Sequence, residues 1–155
     1  MKNLATLLGP SQIVDLSGHS PRAAASELVM ALPGPGAALQ RQMLKGVMAR
    51  EATMSTGLGN ALAVPHARLE RLSRIYIALG RSKAGIDFKA ADGMKAHLVV
   101  LIVTPSALVN AYLQLLASVL WTLSDDAMRR KVLAAATPKD VLGILASRKG
   151  LRAGA

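Results

Sequence analysis

The chain holds three histidines, His19, His66 and His97, and no cysteine. Near pH 7 a neutral imidazole carries one unprotonated nitrogen, so histidine can attack phosphorus where lysine and arginine do so only with difficulty. The lack of cysteine excludes disulfides, thiol catalysis and thiolate metal sites. The three histidines differ in their surroundings. His19 precedes Ser20-Pro21 and reads as a surface turn residue. His97 opens a strongly apolar run, where a lone histidine reads as structural. His66 follows Pro65 at the end of the short apolar segment Ala61-Leu62-Ala63-Val64, just after a glycine-containing loop. Strand ends that border loops are where α/β sheets place ligands. Pro65 fixes its own φ and restricts Val64, which holds the backbone at His66 in one pose.

The neighbours of His66 suit an anion. Arg50 and Arg68 are the nearest positive charges on either side of it in sequence. Thr56, Gly57 and Gly59, in the loop Glu51 to Asn60, offer a hydroxyl and backbone N–H groups. Such donors, with an arginine fork, can hold the oxygens of a phosphoryl group in transfer. The loop lacks the Gly-Lys-Ser/Thr ending of a nucleotide P-loop. No cofactor and no metal are expected. On spacing alone, a reactive and a structural His66 both remain open.

These residues need elements to hold them. Ile13-Val14-Asp15-Leu16 reads as an edge strand. Ser20 and Pro21 suit the cap and first turn of a helix whose apolar face is Ala24, Leu28, Ala31 and Leu32. Pro33-Gly34-Pro35-Gly36 interrupts the chain. A second helix, with Leu39, Met43, Val47 and Met48 near helical spacing, ends near Arg50. Residues 51–60 read as loop, 61–64 as a strand stopped at Pro65, and 75–79 as another. Gly85 to Phe88 is a turn or bridge, and Asp92-Gly93 a turn. The run His97 to Val103 has the pattern of a central strand covered on both faces. Ser106 is a candidate cap for a long helix to about Leu123, with Leu108, Leu113, Leu116, Leu120 and Leu123 as its apolar residues. Ser124 or Asp125 caps a shorter helix, and Thr137-Pro138 opens a last one with Val141, Leu142 and Leu145 inward. The expected fold is α/β: a three-layer sandwich, with a mixed sheet of about five strands flanked by helices.

The length of 155 residues suits one domain over 1–155, with 148–155 as a flexible basic tail. A hydrophobic content of 52% with only 3% aromatics makes the core aliphatic and leaves few stacking platforms for bases. The formal net charge of +10 invites a nucleic-acid reading. Counted over 1–50, 51–100 and 101–155, however, the charges are five positive and two negative, seven and four, and seven and three. The excess is spread out, as on a solvated basic surface, and nucleic acid is not the expected partner. There is no signal-peptide pattern, and the apolar runs are too short for a bilayer, so no membrane insertion and a cytoplasmic location are expected.

The run from Arg50 through Glu51, Thr56-Gly57-Leu58-Gly59-Asn60 and Pro65-His66-Ala67 resembles the signature of the enzyme IIA domain of the mannitol/fructose class (type 2). That domain belongs to the bacterial phosphoenolpyruvate-dependent sugar phosphotransferase system, and the class includes the nitrogen-related regulatory IIA proteins. Gly85-Ile86-Asp87-Phe88, Asp92-Gly93, Leu98 to Pro105, Leu113-Gln114-Leu115-Leu116-Ala117 and Ala134 to Val141 match the family's order and approximate spacing. The resemblance covers essentially the whole chain. It implies a mixed sheet flanked by helices. It also implies that His66 receives a phosphoryl group from the histidine phosphocarrier protein, with Arg50 binding the phosphoryl oxygens. His66 would then pass the group to a IIB partner, or hold it as a mark that governs binding to a regulated target protein.

One position departs from the family pattern. Members commonly carry a second histidine directly before the Leu-Gln-Leu-Leu-like run, and here Tyr112 stands there. A phenol can donate a hydrogen bond to a phosphoryl oxygen but cannot carry the charge of an imidazolium. Tyr112 also fits a partly buried helix residue. Four readings follow: a phosphoryl carrier, a regulatory protein of the same fold, a nucleic-acid binder resting on charge alone, and a domain that has lost phosphorylation.

Overall fold

The computed structural model describes residues 3–148. The expected tail at 148–155 therefore lies, beyond Arg148 itself, outside the described residues. Five helices cover a sheet of six strands: β1 (Ile13–Asp15), α1 (Pro21–Met30), α2 (Ala37–Thr53), β2 (Gly57–Gly59), β3 (Leu62–Ala63), β4 (His66–Leu69), β5 (Tyr76–Ile86), β6 (Ala96–Pro105), α3 (Val109–Leu123), α4 (Asp126–Ala134) and α5 (Pro138–Ala146). The strand order is β1-β5-β6-β3-β2, with β4 also on β6. β5 and β6 are antiparallel, while β1 runs parallel to β5, and β3 and β4 parallel to β6. The sheet is mixed, as expected, and has six strands rather than five.

β6 explains the layering. Leu98, Val100 and Ile102 enter one core with Leu115, Val119 and Leu123 of α3, Val132 of α4, and Val141 and Leu145 of α5. Val99, Leu101 and Val103 enter the other, with Ala24 and Leu28 of α1 and Met43 and Val47 of α2. Residues that alternate along a strand point to opposite faces, so an unbroken apolar run is what a strand buried on both sides requires.

The helix starts follow their caps. Ser20 accepts from the Ala23 N–H at 3.1 Å, Asp125 from Met128 at 2.9 Å and Thr137 from Asp140 at 3.1 Å. Ser106 does not cap α3. Its N–H still bonds the Leu69 carbonyl at 3.0 Å, alongside β4, and α3 begins at Val109 behind Leu108 with no side-chain cap. The buried face of α3 also differs from the expected one. Leu115, Ser118, Val119, Thr122 and Leu123 face inward, while Leu108, Leu113 and Leu120 are exposed. The helix is apolar on nearly every side, so several stripes fit a 3.6-residue period, and the one bearing Ser118 and Thr122 faces the sheet.

The segment 51–60 is more ordered than a loop. α2 continues through Thr53, and Gly57–Gly59 forms β2 against β3. Pro65 interrupts the first strand without ending the pairing, because β4 resumes at His66 and pairs with β6. β5 runs on through Ile86 past an irregularity in its register with β6. Gly85, at φ +80°, takes a backbone conformation that side chains rarely tolerate. Among the described residues, no helix is long and apolar enough to cross a membrane.

Candidate functional site

Three elements meet beside His66. The end of α2 brings Gly46 and Arg50, β4 brings His66, Ala67 and Arg68, and the start of α3 brings Val109, Tyr112 and Leu113. Together they enclose an open cavity of about 460 Å³. Gly46 lets α2 come close to β4: a Cβ there would lie 3.0 Å from Leu69 Cδ2 and 3.2 Å from the Ala67 Cβ. Arg50 is one helical turn further on, so this contact also sets the position of its guanidinium. Gly46→Val is expected to push the helix off the strand at a cost of about 1–3 kcal/mol. It should also slow any chemistry that uses Arg50. Thermal unfolding and the labelling assay described below measure the two effects.

His66 is half-buried, and its Nδ1 lies 2.9 Å from the Val64 carbonyl. A carbonyl oxygen only accepts, so in the neutral ring Nδ1 carries the hydrogen and Nε2 keeps its lone pair. Burial, the first cause, holds the His66 pKa below its ordinary value of 6.5; the Arg50 and Arg68 charges push the same way. The Val64 hydrogen bond and Glu51 oppose them without reversing the result. The ring is therefore neutral at pH 7. A folded pKa below the unfolded one means that the unfolded chain takes up the proton first, so His66 costs stability as pH falls below 6.5 toward the folded value. Titration of the His66 imidazole followed by NMR is expected to give a midpoint below 6.5. His66→Asn should remove this part of the acid destabilisation.

Arg50 donates through Nη1 to the Met54 carbonyl at 2.8 Å and has no other hydrogen bond among the described residues. Arg68 is exposed and has no acidic partner there. Tyr112 faces His66 with ring centroids 5.4 Å apart and planes tilted by 35°. Burial raises its pKa, while Arg50 and Arg68 pull against that, so the phenol keeps its proton at neutral pH. The cavity thus joins an imidazole lone pair, two guanidinium groups with free donors and one phenol.

Thr56, Gly57 and Gly59 do not line this cavity. The Thr56 N–H donates to Glu51 at 3.1 Å, and its hydroxyl is bonded to the other Glu51 oxygen. The Gly57 N–H is taken by Ser55 Oγ at 3.0 Å. Gly59 adopts φ +80° beside the Asp92 carboxylate, which also accepts from the Asn60 N–H. The Thr56 and Gly57 donors are thus engaged within the loop, and that of Asn60 by Asp92. Sequence reasoning missed Gly46, Val109 and Leu113. The signal was present, because Gly46 and Arg50 are four apart, and Val109 and Leu113 stand three before and one after Tyr112, on adjoining helical positions.

The other histidines have separate places. His97 Nδ1 is 2.7 Å from the Ser82 carbonyl, and His19 is exposed. No group of three or more His, Cys, Asp or Glu residues among the described residues is arranged to hold a metal.

Comparison with known proteins places the chain in a family and a fold. The family described as "Phosphoenolpyruvate-dependent sugar phosphotransferase system, EIIA 2" matches residues 14–148. The fructose-specific EIIABC component of Bacillus subtilis (strain 168) is 33% identical over 120 residues, which are 77% of this chain and 19% of that protein. The chain thus spans about a fifth of that relative's length. The crystal structure of the nitrogen regulatory protein IIA-Ntr from Neisseria meningitidis superposes with a TM-score of 0.81 at 25% identity, over 92% of this chain and 98% of that one. The mannitol IIA of Escherichia coli, in its complex with phosphorylated IIB, shares the fold at a TM-score of 0.74 and 20% identity, over 91% of this chain and 98% of that one. The match over residues 14–148 places the chain in the EIIA type 2 family of the phosphoenolpyruvate-dependent sugar phosphotransferase system.

Proposed function

We propose that this protein is a cytoplasmic phosphoryl carrier that accepts a phosphoryl group on His66 from the histidine phosphocarrier protein and donates it to a IIB partner. The observation that supports this most is the His66 ring itself. Val64 anchors it through Nδ1, and Nε2 is left unprotonated in a cavity that also holds Arg50, Arg68 and Tyr112. In the forward step the Nε2 lone pair forms a bond to phosphorus, and the carrier's N–P bond breaks with its electron pair returning to the carrier's imidazole. Arg50 and Arg68 neutralise the phosphoryl oxygens as charge shifts between the two nitrogens, and the Tyr112 hydroxyl donates to one of them. Val64 keeps accepting from Nδ1, so the ring does not rotate during transfer. Exposed Leu108, Val109 and Leu113 form an apolar rim at this end of α3, suited to a docking partner. The mannitol IIA of Escherichia coli forms such a complex with phosphorylated IIB.

A second reading keeps the same phosphorylation and changes its use. The match to the Neisseria nitrogen regulatory protein spans nearly all of both chains. The state of His66 would then govern binding to a target protein. One experiment separates the readings. The protein is incubated with labelled phosphoenolpyruvate, enzyme I and the phosphocarrier, and then with IIB proteins. Acid-labile label that moves on to a IIB supports the carrier; label that stays supports the regulator. No label on the wild-type protein rejects both.

A further inference from the structure

A second cluster of cationic side chains lies at the other end of the sheet. Arg81 on β5 pairs in register with Leu98 of β6, whereas His66 pairs with Ile102. Four residues of strand separate the two positions, or roughly 13 Å. Around Arg81 is an open cleft of about 880 Å³, lined also by Asp15, His19, Lys83, His97 and Ala135. Its volume is within the range that holds small-molecule ligands.

Arg81 is unusual in this cleft. Its side chain is only 9% exposed. Nε donates to Asp15 at 2.8 Å, and Nη1 to the carbonyls of Val132 at 3.0 Å and Ala135 at 2.6 Å. Nη2 makes no hydrogen bond among the described residues, yet it is not among the side-chain atoms sealed from solvent without a partner. A guanidinium fixed on two sides therefore keeps one nitrogen without a protein partner, on a residue that lines the cleft. Lys83 is exposed on the same strand. His97 donates from Nδ1 to the Ser82 carbonyl, which in the neutral ring leaves Nε2 as an acceptor. The one carboxylate in the lining, Asp15, is engaged by Arg81. Nearby Glu27 does not line the cleft; its oxygens accept from the Ser17 and Gly18 N–H groups.

We propose that this cleft is a second anion site, distinct from the His66 cavity, that takes a small molecule bearing a phosphate group. Two donors of different geometry, a fixed guanidinium nitrogen and a flexible ammonium, suit an anion with several terminal oxygens. Two permanent positive charges against one engaged carboxylate favour a dianion. The site does not depend on the phosphoryl chemistry of His66, so the two proposals fail separately.

The test is thermal unfolding and amide NMR with inorganic phosphate, a hexose 6-phosphate and succinate at matched ionic strength. The proteins are the full chain, Lys83→Gln, and an Arg50→Ala/Arg68→Ala variant that weakens the His66 cavity. Either phosphate compound is expected to raise Tm, by roughly 3–6 °C at ten times Kd and further with the logarithm of its concentration. The amides of Ser82, Lys83 and Ala135 should shift saturably with the same Kd. Lys83→Gln, at an exposed position, should weaken Kd about tenfold, while the double arginine variant keeps the response. A response lost in the double variant and kept in Lys83→Gln would place the ion at His66 and overturn the proposal. So would an equal response to succinate, or none to either phosphate compound.

Discussion

His66→Ala is expected to take up no acid-labile phosphoryl group from the phosphorylated carrier, while folding as the wild type does. The side chain is half-buried at a cavity wall, and its only hydrogen bond among the described residues is to Val64, so its removal costs the fold about 1 kcal/mol. It removes the only histidine in the cavity. Arg50→Ala is expected to separate charge stabilisation from nucleophilicity. Loss of a donor aimed at developing charge typically costs 10²- to 10³-fold in rate. Arg50→Ala should therefore still label fully at long times, but about 100-fold more slowly. Arg50→Lys should recover only part of that, because an ammonium lacks the planar fork. Single-turnover transfer from the labelled carrier measures all three. Equal labelling of wild type and His66→Ala would remove His66 from the mechanism, and a wild-type rate in Arg50→Ala would reduce the arginine to the cap that its bond to Met54 already makes it.

The parts of this molecule that follow one local rule are readable from sequence. Ser20, Asp125 and Thr137 cap helices because each stands directly before a helix whose first N–H groups need an acceptor. β6 is readable because only a strand covered on both faces needs seven consecutive apolar or half-apolar positions. What was not readable depends on tertiary choice. α3 is apolar on nearly every side, so its sequence does not say which stripe meets the sheet. β4 is a four-residue strand directly after Pro65, and nothing in His66-Ala67-Arg68-Leu69 itself specifies pairing; β6 supplies the edge. The site shows the same division. His66 and Arg50 are marked by residue type and by the family resemblance, and the structure brings them into one cavity. Thr56 does not line that cavity. Glu51, five residues earlier, accepts both its hydroxyl and its N–H, a competition that composition does not reveal.

Tyr112 is where the largest change in the opposite direction is expected. Its ring faces His66 at 5.4 Å, and burial keeps the phenol protonated, so in the proposed transfer it would offer one neutral O–H to the phosphoryl oxygens. A hydrogen bond to a charged group contributes roughly 1.5–3 kcal/mol. Tyr112→Phe, which keeps the wall and removes the donor, is therefore expected to slow transfer about tenfold at every pH where Tyr112 is neutral. Tyr112→His replaces the phenol with a group that can be cationic. Arg50 and Arg68 are close enough to act on Tyr112, and the same two charges with the same burial will push an imidazole there toward its neutral form. The gain from a third positive charge should thus appear only as pH falls. Tyr112→His is expected to match wild type near pH 8 and to exceed it roughly tenfold near pH 6, provided the incoming phosphoryl group draws the proton onto the new ring. Single-turnover rates for the three proteins at both pH values decide it. If Tyr112→Phe transfers as fast as wild type, the hydroxyl is only part of the cavity wall. If Tyr112→His gains nothing at pH 6, two arginines already supply all the positive charge that the transferring group can use.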